Sequence, residues 1–418
     1  MKFPMASVRY SILALMVAFV VQRSDTLYAQ DLTHCGFGKR DITPTLPMRL
    51  SGYSDRTEPA KDAIEKLNVR SMVMKSATGQ LFAIVSVDLL GLAATHNAEL
   101  AKRVAATHKI PRERLVISCT HTHTGPQLTT PAANLLAMPF TETEKQRALD
   151  YAAHVLDQIV AVIGDGISDL QPGKMFLGEG RATFAINRRT LVDGKWLMIH
   201  NPNGLVDHSL PVLKIEDANG KNRGVIFNYA CHATTLGPND NQYNPDWPGY
   251  AAKFLEESNT GSTALCLIGC GADANPEPRA GNQVKDAVAV SIAHGRAAAD
   301  GVNKVLAGPM NPIISAPLCS YGYAPLAFDL PSADELKARL EDKNVTIRQH
   351  AMNMLEILSR KRMLPSTYPL PLQSWQFGKD LSMVFMGGEV VVDYVMRMKK
   401  ELTPGYVWVT AYTNDNPG

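Results

Sequence analysis

The sequence predicts an α/β fold in which helices pack on mixed β-sheets within a single domain. Short apolar runs alternate with longer segments whose apolar residues recur at helical spacing, a pattern typical of strands followed by helices. The chain has 418 residues, which is enough to bury a large core. No internal repeat and no Gly/Ser-rich linker divides the sequence, so we expect one domain rather than two.

Five strand-then-helix pairs carry this prediction. The apolar runs, in chain order, are LFAIVSVDLL (81–90), RLVISC (114–119), RGVIFNYA (223–230), ALCLIGC (264–270) and SMVFMGG (382–388). The helical patterns that follow them cover 95–109, 141–163, 248–258, 284–307 and 389–402. Residues 171–217 have shorter runs and more turn residues, which predicts antiparallel hairpins.

One long charged segment, residues 332–364, departs from this alternation. Its apolar residues have a helical period. Two interpretations are open, a pair of solvated surface helices or a cap over a binding site.

Residues 1–29 predict an export signal. A weakly basic start precedes an apolar stretch from Ile12 to Val21, and Leu27-Tyr28-Ala29 provides a cleavage-site pattern. The apolar stretch is shorter than the roughly 20 residues of a membrane-spanning helix. We therefore expect cleavage near Ala29, no stable membrane span afterwards, and a mature domain of residues 30–418 that is periplasmic or secreted.

The charge balance argues against nucleic-acid binding, and the spacing of the cysteines argues against a disulfide framework. There are 42 Lys and Arg against 40 Asp and Glu, and no long basic block, so nucleic-acid binding is not expected. The six cysteines lack the dense spacing of a disulfide framework, although export would permit pairing. Cys266 and Cys270 bracket an apolar run and are expected in the core. The sequence leaves the oligomeric state open.

Polar residues follow four of the predicted strands at the points where the strands end. Open α/β sheets bind their ligands at the carboxyl ends of the strands, so we expect these side chains to reach one common edge. In chain order they are His121 and His123, His232, Asp273 and Asn275, and Glu389.

The two neighbouring histidines can serve as metal ligands or as a general base. In an extended chain alternate side chains point the same way, which predicts that the imidazoles of His121 and His123 face one cavity. A pair of loop histidines bonded to backbone would give the same pattern, and Glu389 could simply cap a helix. With His232 and Glu389 included, the set matches the His/His/carboxylate ligands of catalytic zinc, which leave a position open for water.

Six ordered segments of the chain resemble the neutral, non-lysosomal ceramidases, from about residue 35 to the end. Each is weak alone, but together and in this order they are specific. The segments are GKRDITPTLPMRLSGYSDR (38–56), THTHTGP (120–126), FAINRR (184–189), NYACHATTL (228–236), GCGADANP (269–276) and GGEVVVDYVMRMKKEL (387–402).

The resemblance implies an amidohydrolase that cleaves an N-acyl bond at a zinc centre. Carried over by position, His121, His232 and Glu389 would be the Zn²⁺ ligands. His123 would manage a proton, and Arg188 would orient the substrate or stabilise negative charge. Asp273 matches the aspartate of the family's Gly-Asp-Val-Ser-Pro segment.

The chain departs from the family pattern at two positions. Asn275 stands where the ceramidases have their serine nucleophile, and an amide cannot form an acyl-enzyme. The resemblance then implies metal-activated water as nucleophile, with Asn275 donating to the substrate carbonyl. The family's tyrosine zinc ligand would align just past Gly418, so we expect a truncated C-terminus.

Three functions follow as hypotheses. The first is an exported zinc-dependent hydrolase, ceramidase-like, that cleaves an amide or related carbonyl bond of a small-molecule or lipid-like substrate. The second is a non-catalytic binding protein on an inherited hydrolase scaffold, which the missing serine would favour. The third is a true ceramidase.

Overall fold

A computed structural model describes residues 31–128, 140–281, 284–360 and 362–417. The predicted export signal lies outside the described residues, as does Gly418. Within the described part, no helix is both long enough and apolar enough to cross a bilayer.

The structure contains eighteen strands, seven α-helices and one short 3₁₀ helix (Arg112–Arg114) in its described residues. The strands are β1 (Leu32–Asp41), β2 (Met48–Arg49), β3 (Pro59–Ala60), β4 (Asn68–Ser76), β5 (Leu81–Val87), β6 (Leu115–Cys119), β7 (Gln171–Arg181), β8 (Ala185–Val192), β9 (Lys195–Asn201), β10 (Ser209–Asp217), β11 (Asn222–Tyr229), β12 (Thr263–Ile268), β13 (Ala274–Pro276), β14 (Asn311–Ile313), β15 (Leu318–Ala327), β16 (Thr367–Phe377), β17 (Leu381–Met386) and β18 (Tyr406–Thr410). The helices are α1 (Ala94–His108), α2 (Glu142–Ser168), α3 (Asp246–Ser258), α4 (Ala287–Leu306), α5 (Ala333–Arg339), α6 (Val345–Ser359) and α7 (Val392–Glu401).

The largest sheet has the strand order β12-β11-β10-β7-β1-β4-β5-β6, with β14 added beside β7. Its pairs β5–β6 and β11–β12 are parallel, and the others are antiparallel. Only two residue pairs join β1 to β7, so the sheet consists of two halves that meet at this narrow junction. The second sheet has the order β15-β16-β17-β18, and β17 and β18 are parallel.

The two halves of the large sheet face each other. Ser86 on β5 donates a hydrogen bond to the carbonyl of Cys266 on β12 over 2.6 Å. Side-chain alternation explains the layers: Ile84 packs in the core shared by both halves, whereas Val85 packs towards α1 and α2. Helices α3 and α4 cover the outer face of the other half. The result is a helix–sheet–sheet–helix arrangement, and the predicted fold class is confirmed.

All five predicted strand-then-helix pairs occur, and β8 and β9 form an antiparallel hairpin within 171–217 as predicted. The last helix begins at Val392 rather than at 389, and the amide of Val392 donates a hydrogen bond to the Asp273 carboxylate. Capping by Glu389 is therefore the wrong interpretation.

The charged segment forms the helix pair α5 and α6, which pack on each other and are mostly exposed. Residue 361 of the segment lies outside the described residues. The surface-pair interpretation fits this arrangement, and the role as a cap stays a prediction. All six cysteines are unpaired, and Cys266 and Cys270 are buried in the core as expected.

Candidate metal centre

The ends of β6, β12 and β18 meet through backbone hydrogen bonds. Cys119 at the end of β6 donates to the carbonyl of Tyr412, and Ala411 donates to the carbonyl of Ile268 at the end of β12. Tyr412 in turn donates to the carbonyl of Gly388, over 3.1 Å. This bonding brings the segments that carry His121 and Glu389 into contact and explains why residues from separate strands share one edge.

His121 and His123 share a cavity, but not because the chain is extended there. His121 has a φ of 57°, in the left-handed region, so the chain turns immediately after β6. The Nε2 atoms of the two rings lie 3.3 Å apart, and their planes are almost perpendicular. The imidazole of His232 approaches His121 in the same edge-on way.

Backbone carbonyls fix the orientation of two of the three rings. Nδ1 of His121 lies 2.8 Å from the carbonyl oxygen of Leu90, and Nδ1 of His232 lies 2.7 Å from that of Gly271. A carbonyl only accepts, so in each ring Nδ1 carries the proton and Nε2 presents a lone pair. Metal-bound histidines are held in the same way.

Glu389 completes the cluster. Its carboxylate oxygens lie 3.1 Å from Nε2 of His232 and 3.6 Å from Nε2 of His121. A carboxylate oxygen and an unprotonated ring nitrogen are both acceptors, so neither can donate to the other. A cation shared between them would remove this conflict, and the donor set therefore fits a metal ion.

Burial keeps the imidazoles neutral. It lowers the pKa of His121 to about 4, and it lowers the pKa values of His123 and His232 as well. Burial opposes ionisation of Glu389, but its contacts with His232, His121 and His123 hold the pKa of this carboxyl below its usual range. Neutral imidazole and ionised carboxylate are the forms that ligate metals.

Donor atoms of His121, His123 and His232 all lie within 4.8 Å of one another, which makes the three histidines a candidate metal site in their own right. His123 differs from the other two because its buried Nδ1 has no hydrogen-bond partner within the described part of the chain. No carbonyl fixes its tautomer. Its other nitrogen, Nε2, faces the lone pair on Nε2 of His121 over 3.3 Å, so the proton of the neutral His123 ring lies on Nε2 in this geometry.

Arg188 and Asn275 lie beside the ring cluster, on neighbouring strands β8 and β13. The Arg188 guanidinium donates to Nε2 of His232 over 2.9 Å and to the side-chain oxygen of Asn275 over 3.0 Å. Thr234 donates to the same oxygen. Because the oxygen of Asn275 accepts both bonds, its amide nitrogen is the group left to donate to a ligand.

Asp273 does not reach the histidines with its carboxylate. One carboxylate oxygen accepts from the Val392 amide over 3.0 Å, and the other accepts from the Asn187 side chain over 3.3 Å. Its carbonyl accepts from the Arg188 amide over 2.7 Å. Asp273 therefore connects β8 to the start of α7, just after Glu389, and is a positioning residue here.

The loop that holds His123 involves residues that the sequence analysis did not assign to the site. Gly52 packs so closely on the ring that an added Cβ would lie 2.3 Å from Nδ1. The buried Arg56 guanidinium donates only to backbone carbonyls, including those of Ser51, Gly237 and His123. Gly52 lies in the segment 38–56 that resembles the ceramidases, which could have identified it, but the backbone carbonyls that accept from Arg56 cannot be identified from the sequence.

Tyr412 was also not assigned, and it lines the centre. Its ring stacks on His121 with centroids 4.1 Å apart, and its hydroxyl lies 3.5 Å from Nδ1 of His232. The residue is buried and has a φ of 52°. The sequence feature that could have identified Tyr412 is its position at the end of an apolar strand.

The fold and this cluster together define an α/β protein with a candidate histidine metal site at the carboxyl ends of its strands. Residues 34–319 match the family described as neutral/alkaline non-lysosomal ceramidase, N-terminal. The chain belongs to this family, and the resemblance seen in its motifs is confirmed.

Curated relatives agree with this assignment. The chain is 29% identical over 240 residues to a neutral ceramidase from Pseudomonas aeruginosa, a match covering 54% of this chain and 34% of the relative. It is 24% identical over 240 residues to neutral ceramidase B from Dictyostelium discoideum, covering 54% and 32%. The match thus spans about a third of the length of these relatives.

Solved structures support the fold. The crystal structure of the Pseudomonas aeruginosa neutral ceramidase matches with a TM-score of 0.70 at 19% identity, over 92% of this chain and 68% of that chain. A ceramidase complexed with C2 matches with a TM-score of 0.69 at 17% identity, over 92% and 69%. At this level of identity, the similarity establishes the architecture.

Proposed function

We propose that this chain is an exported zinc-dependent hydrolase that cleaves an amide (N-acyl) or related carbonyl bond. One observation carries the proposal: the lone pairs on Nε2 of His121 and of His232 converge with the carboxylate of Glu389, a donor set that suits a metal cation. Membership of the ceramidase family supports an amide as the bond attacked. A small-molecule or lipid-like substrate is the class that this implies.

His121, His232 and Glu389 would hold the zinc ion. Bound zinc supplies a Lewis acid that polarises a carbonyl and lowers the pKa of water to about 7. His123, whose ring lies beside those of His121 and His232, would accept a proton from the attacking water and pass it to the leaving amine.

Arg188 and Asn275 would stabilise the negative charge that develops on the substrate oxygen. Both present N–H donors at the edge of the ring cluster, and neither needs to reorganise because their mutual hydrogen bond fixes them beforehand. Asn275 has no hydroxyl to deprotonate, so water is the nucleophile that fits this chain.

The name of the curated relatives, neutral ceramidase, makes a true ceramidase a second candidate. A true ceramidase would hydrolyse ceramide itself, so turnover of a fluorescent ceramide that is lost with a chelator would support this candidate. Hydrolysis of other N-acyl substrates without hydrolysis of ceramide would favour the first proposal.

Zinc content and turnover, measured on the same preparations, test the proposal. We expect about one zinc per chain by elemental mass spectrometry and metal-dependent hydrolysis of an N-acyl chromogenic substrate. Glu389→Ala should lose both, because two ligands are fewer than a catalytic zinc usually has. Glu401→Ala, which removes a carboxylate at the end of α7, is the control and should lose neither.

Two outcomes would contradict the proposal. Zinc binding without hydrolysis of any amide or ester would favour a binding protein on a hydrolase scaffold. Hydrolysis that survives both a chelator and Glu389→Ala would place the chemistry elsewhere.

A further inference from the structure

Arg279 lies in the segment that follows β13, shortly after Asn275, and its side chain is partly buried. Within the described ranges, its guanidinium forms no hydrogen bond and no ion pair. Charged groups that are withdrawn from water are normally paired, because burial of an unpaired charge costs free energy. The partner that this chain does not supply to Arg279 can come from a ligand.

The loop 234–237 holds the Arg279 segment beside Asn275. The Thr234 hydroxyl donates to the side-chain oxygen of Asn275 over 3.2 Å. The carbonyl of the next residue, Thr235, accepts from the amide of Ala280 over 2.7 Å. Ala280 directly follows Arg279, so the chain leaves the site after Asn275 and returns to the same short loop at Arg279.

Tyr53 connects this loop to the ring of His123. Its hydroxyl donates to the carbonyl of Leu236 over 2.9 Å, and its ring centroid lies 5.1 Å from that of His123. Burial raises the pKa of Tyr53, and the charge of Arg279 opposes this shift. Burial lowers the pKa of Arg188, and repulsion by Arg279 lowers it further. The charge of Arg279 therefore acts on groups that line the metal centre.

The positive charge around the metal centre exceeds the negative charge. Arg56 and Arg188 lie there together with Arg279, and Arg56 donates only to backbone carbonyls. Glu389 is the one carboxylate among the described residues that contacts the ring cluster, and it lies 3.8 Å from Arg188. A bound zinc ion would increase the positive excess. A cleft lined by one sign of charge attracts ligands of the opposite sign.

We propose that Arg279 binds a carboxylate of the substrate, and that the substrates are N-acyl amino acids. This inference rests on the proposed function and names the substrate class for the same site. In an N-acyl amino acid, the carboxylate lies beside the amide that is cleaved. Because Asn275 and Arg279 are held by one loop, the amide carbonyl and the carboxylate can contact them at the same time. The planar guanidinium matches a carboxylate with two parallel hydrogen bonds.

A neutral N-acyl lipid fits this arrangement less well. Such a substrate would displace water from Arg279 and leave the guanidinium without an opposite charge, which disfavours binding. A carboxylate replaces that water with charge-assisted hydrogen bonds, which are stronger than those between neutral groups. The charge at Arg279 thus selects for anionic substrates over neutral ones.

The test compares two substrates that differ in charge, N-octanoylglycine and the neutral N-octanoylglycinamide. Release of octanoate gives kcat/KM for each. The wild type should prefer the anionic substrate by about 10- to 100-fold, the range expected for hydrogen bonds to a charged group. In Arg279→Met the ratio of the two values should fall to about one, mainly through KM. Arg279→Lys should keep part of the preference, because it keeps the charge but loses the planar fork.

Arg189→Met is the matched control, since Arg189 also repels Arg188 but belongs to β8, and it should keep the preference. Equal kcat/KM values for the two substrates in the wild type would overturn the inference and leave the proposed hydrolase intact. A preference that survives Arg279→Met, or one that is lost in Arg189→Met instead, would also overturn it.

A binding measurement that needs no turnover separates this inference from the proposed function. Calorimetric titration of the Glu389→Ala protein with N-octanoylglycine should show binding that Arg279→Met, added to the same protein, weakens at least about 10-fold. This result without hydrolysis of either substrate by the wild type would support the carboxylate site and contradict the proposed function. Equal binding with and without Arg279→Met would overturn the carboxylate site.

Discussion

The guanidinium of Arg188 donates a hydrogen bond to Nε2 of His232 over 2.9 Å. Arginine only donates, so this contact requires a lone pair on Nε2, the same lone pair that a metal would use. Metal binding and this hydrogen bond therefore compete. Loss of this hydrogen bond would leave one N–H of Arg188 available to a substrate oxygen, while the hydrogen bond to Asn275 keeps the guanidinium in place.

We expect Arg188→Met to retain zinc, with affinity equal to or above that of the wild type, because a competing donor and a nearby positive charge are removed. The kcat/KM value should fall about 10²- to 10³-fold, the usual loss for one preorganised donor to a developing oxyanion. Zinc titration and steady-state kinetics check the two parts. Arg189→Met, one position along β8, is the control, and a similar loss in that variant would contradict the role of Arg188.

Asn275→Ala should lower kcat roughly 10²-fold while zinc content stays unchanged. The reason is that its amide oxygen is already occupied by Arg188 and Thr234, which leaves the NH₂ group as a donor to the substrate. Kinetics with elemental analysis of the same sample provide the measurement. If Asn275→Ala and His123→Ala both left turnover unchanged, the assignment of roles in this centre would be wrong.

Asp273→Ala should destabilise the fold by about 1 kcal/mol and also weaken zinc binding. Its carboxylate holds the start of α7, next to the segment that presents Glu389. Asp273→Asn, which keeps one acceptor oxygen, should recover most of the zinc affinity. Asp286→Ala removes the comparable cap of α4 and serves as the control: equal destabilisation with full zinc affinity is expected there.

Gly52→Ala should reduce turnover without loss of zinc, because a Cβ at this position would lie 2.3 Å from Nδ1 of His123 and would displace the ring. The φ of 89° adds backbone strain of about 1–2 kcal/mol. Gly220→Ala is a matched control with a φ of 80° and no atom near the added Cβ. Urea unfolding should show a similar loss of unfolding free energy in both variants. Equal losses of activity in the two variants would contradict a specific effect on His123.

His294 should make stability depend on pH. Burial lowers its pKa, its ring stacks on Phe184, and its Nε2 donates to the carbonyl of Pro278 over 2.7 Å. The unfolded chain therefore binds the proton first: the contribution is complete above about pH 6.5 and is lost as the pH falls towards the folded-state pKa. His294→Gln should flatten the dependence of the unfolding free energy by at most about 1.4 kcal/mol per pH unit. Urea unfolding at pH 8 and pH 5.5 provides the measurement. An equal change of the unfolding free energy between the two pH values in both proteins would contradict this prediction.

The alternation of strands and helices could be predicted because it depends on the spacing of apolar residues over short stretches of the chain. Val85 and Ile84 point to opposite layers simply because they are neighbours on a strand. The same periodicity placed His121, His232 and Glu389 after strands, and the structure brings them together. The prediction that His121 and His123 share a cavity fits the structure, although a left-handed residue rather than an extended chain produces the geometry.

The sequence by itself determined the fold class, the family and the strand ends that carry His121, His232 and Glu389, because the spacing of apolar residues and the chemistry of side chains are local properties of the chain. Only the tertiary structure decided how those side chains are held. The carbonyls of Leu90 and Gly271 set the tautomers of two histidines, and Asp273 caps α7 instead of entering the centre. Every residue carries a carbonyl, so nothing in the sequence distinguishes the two that face an imidazole until the chain has folded.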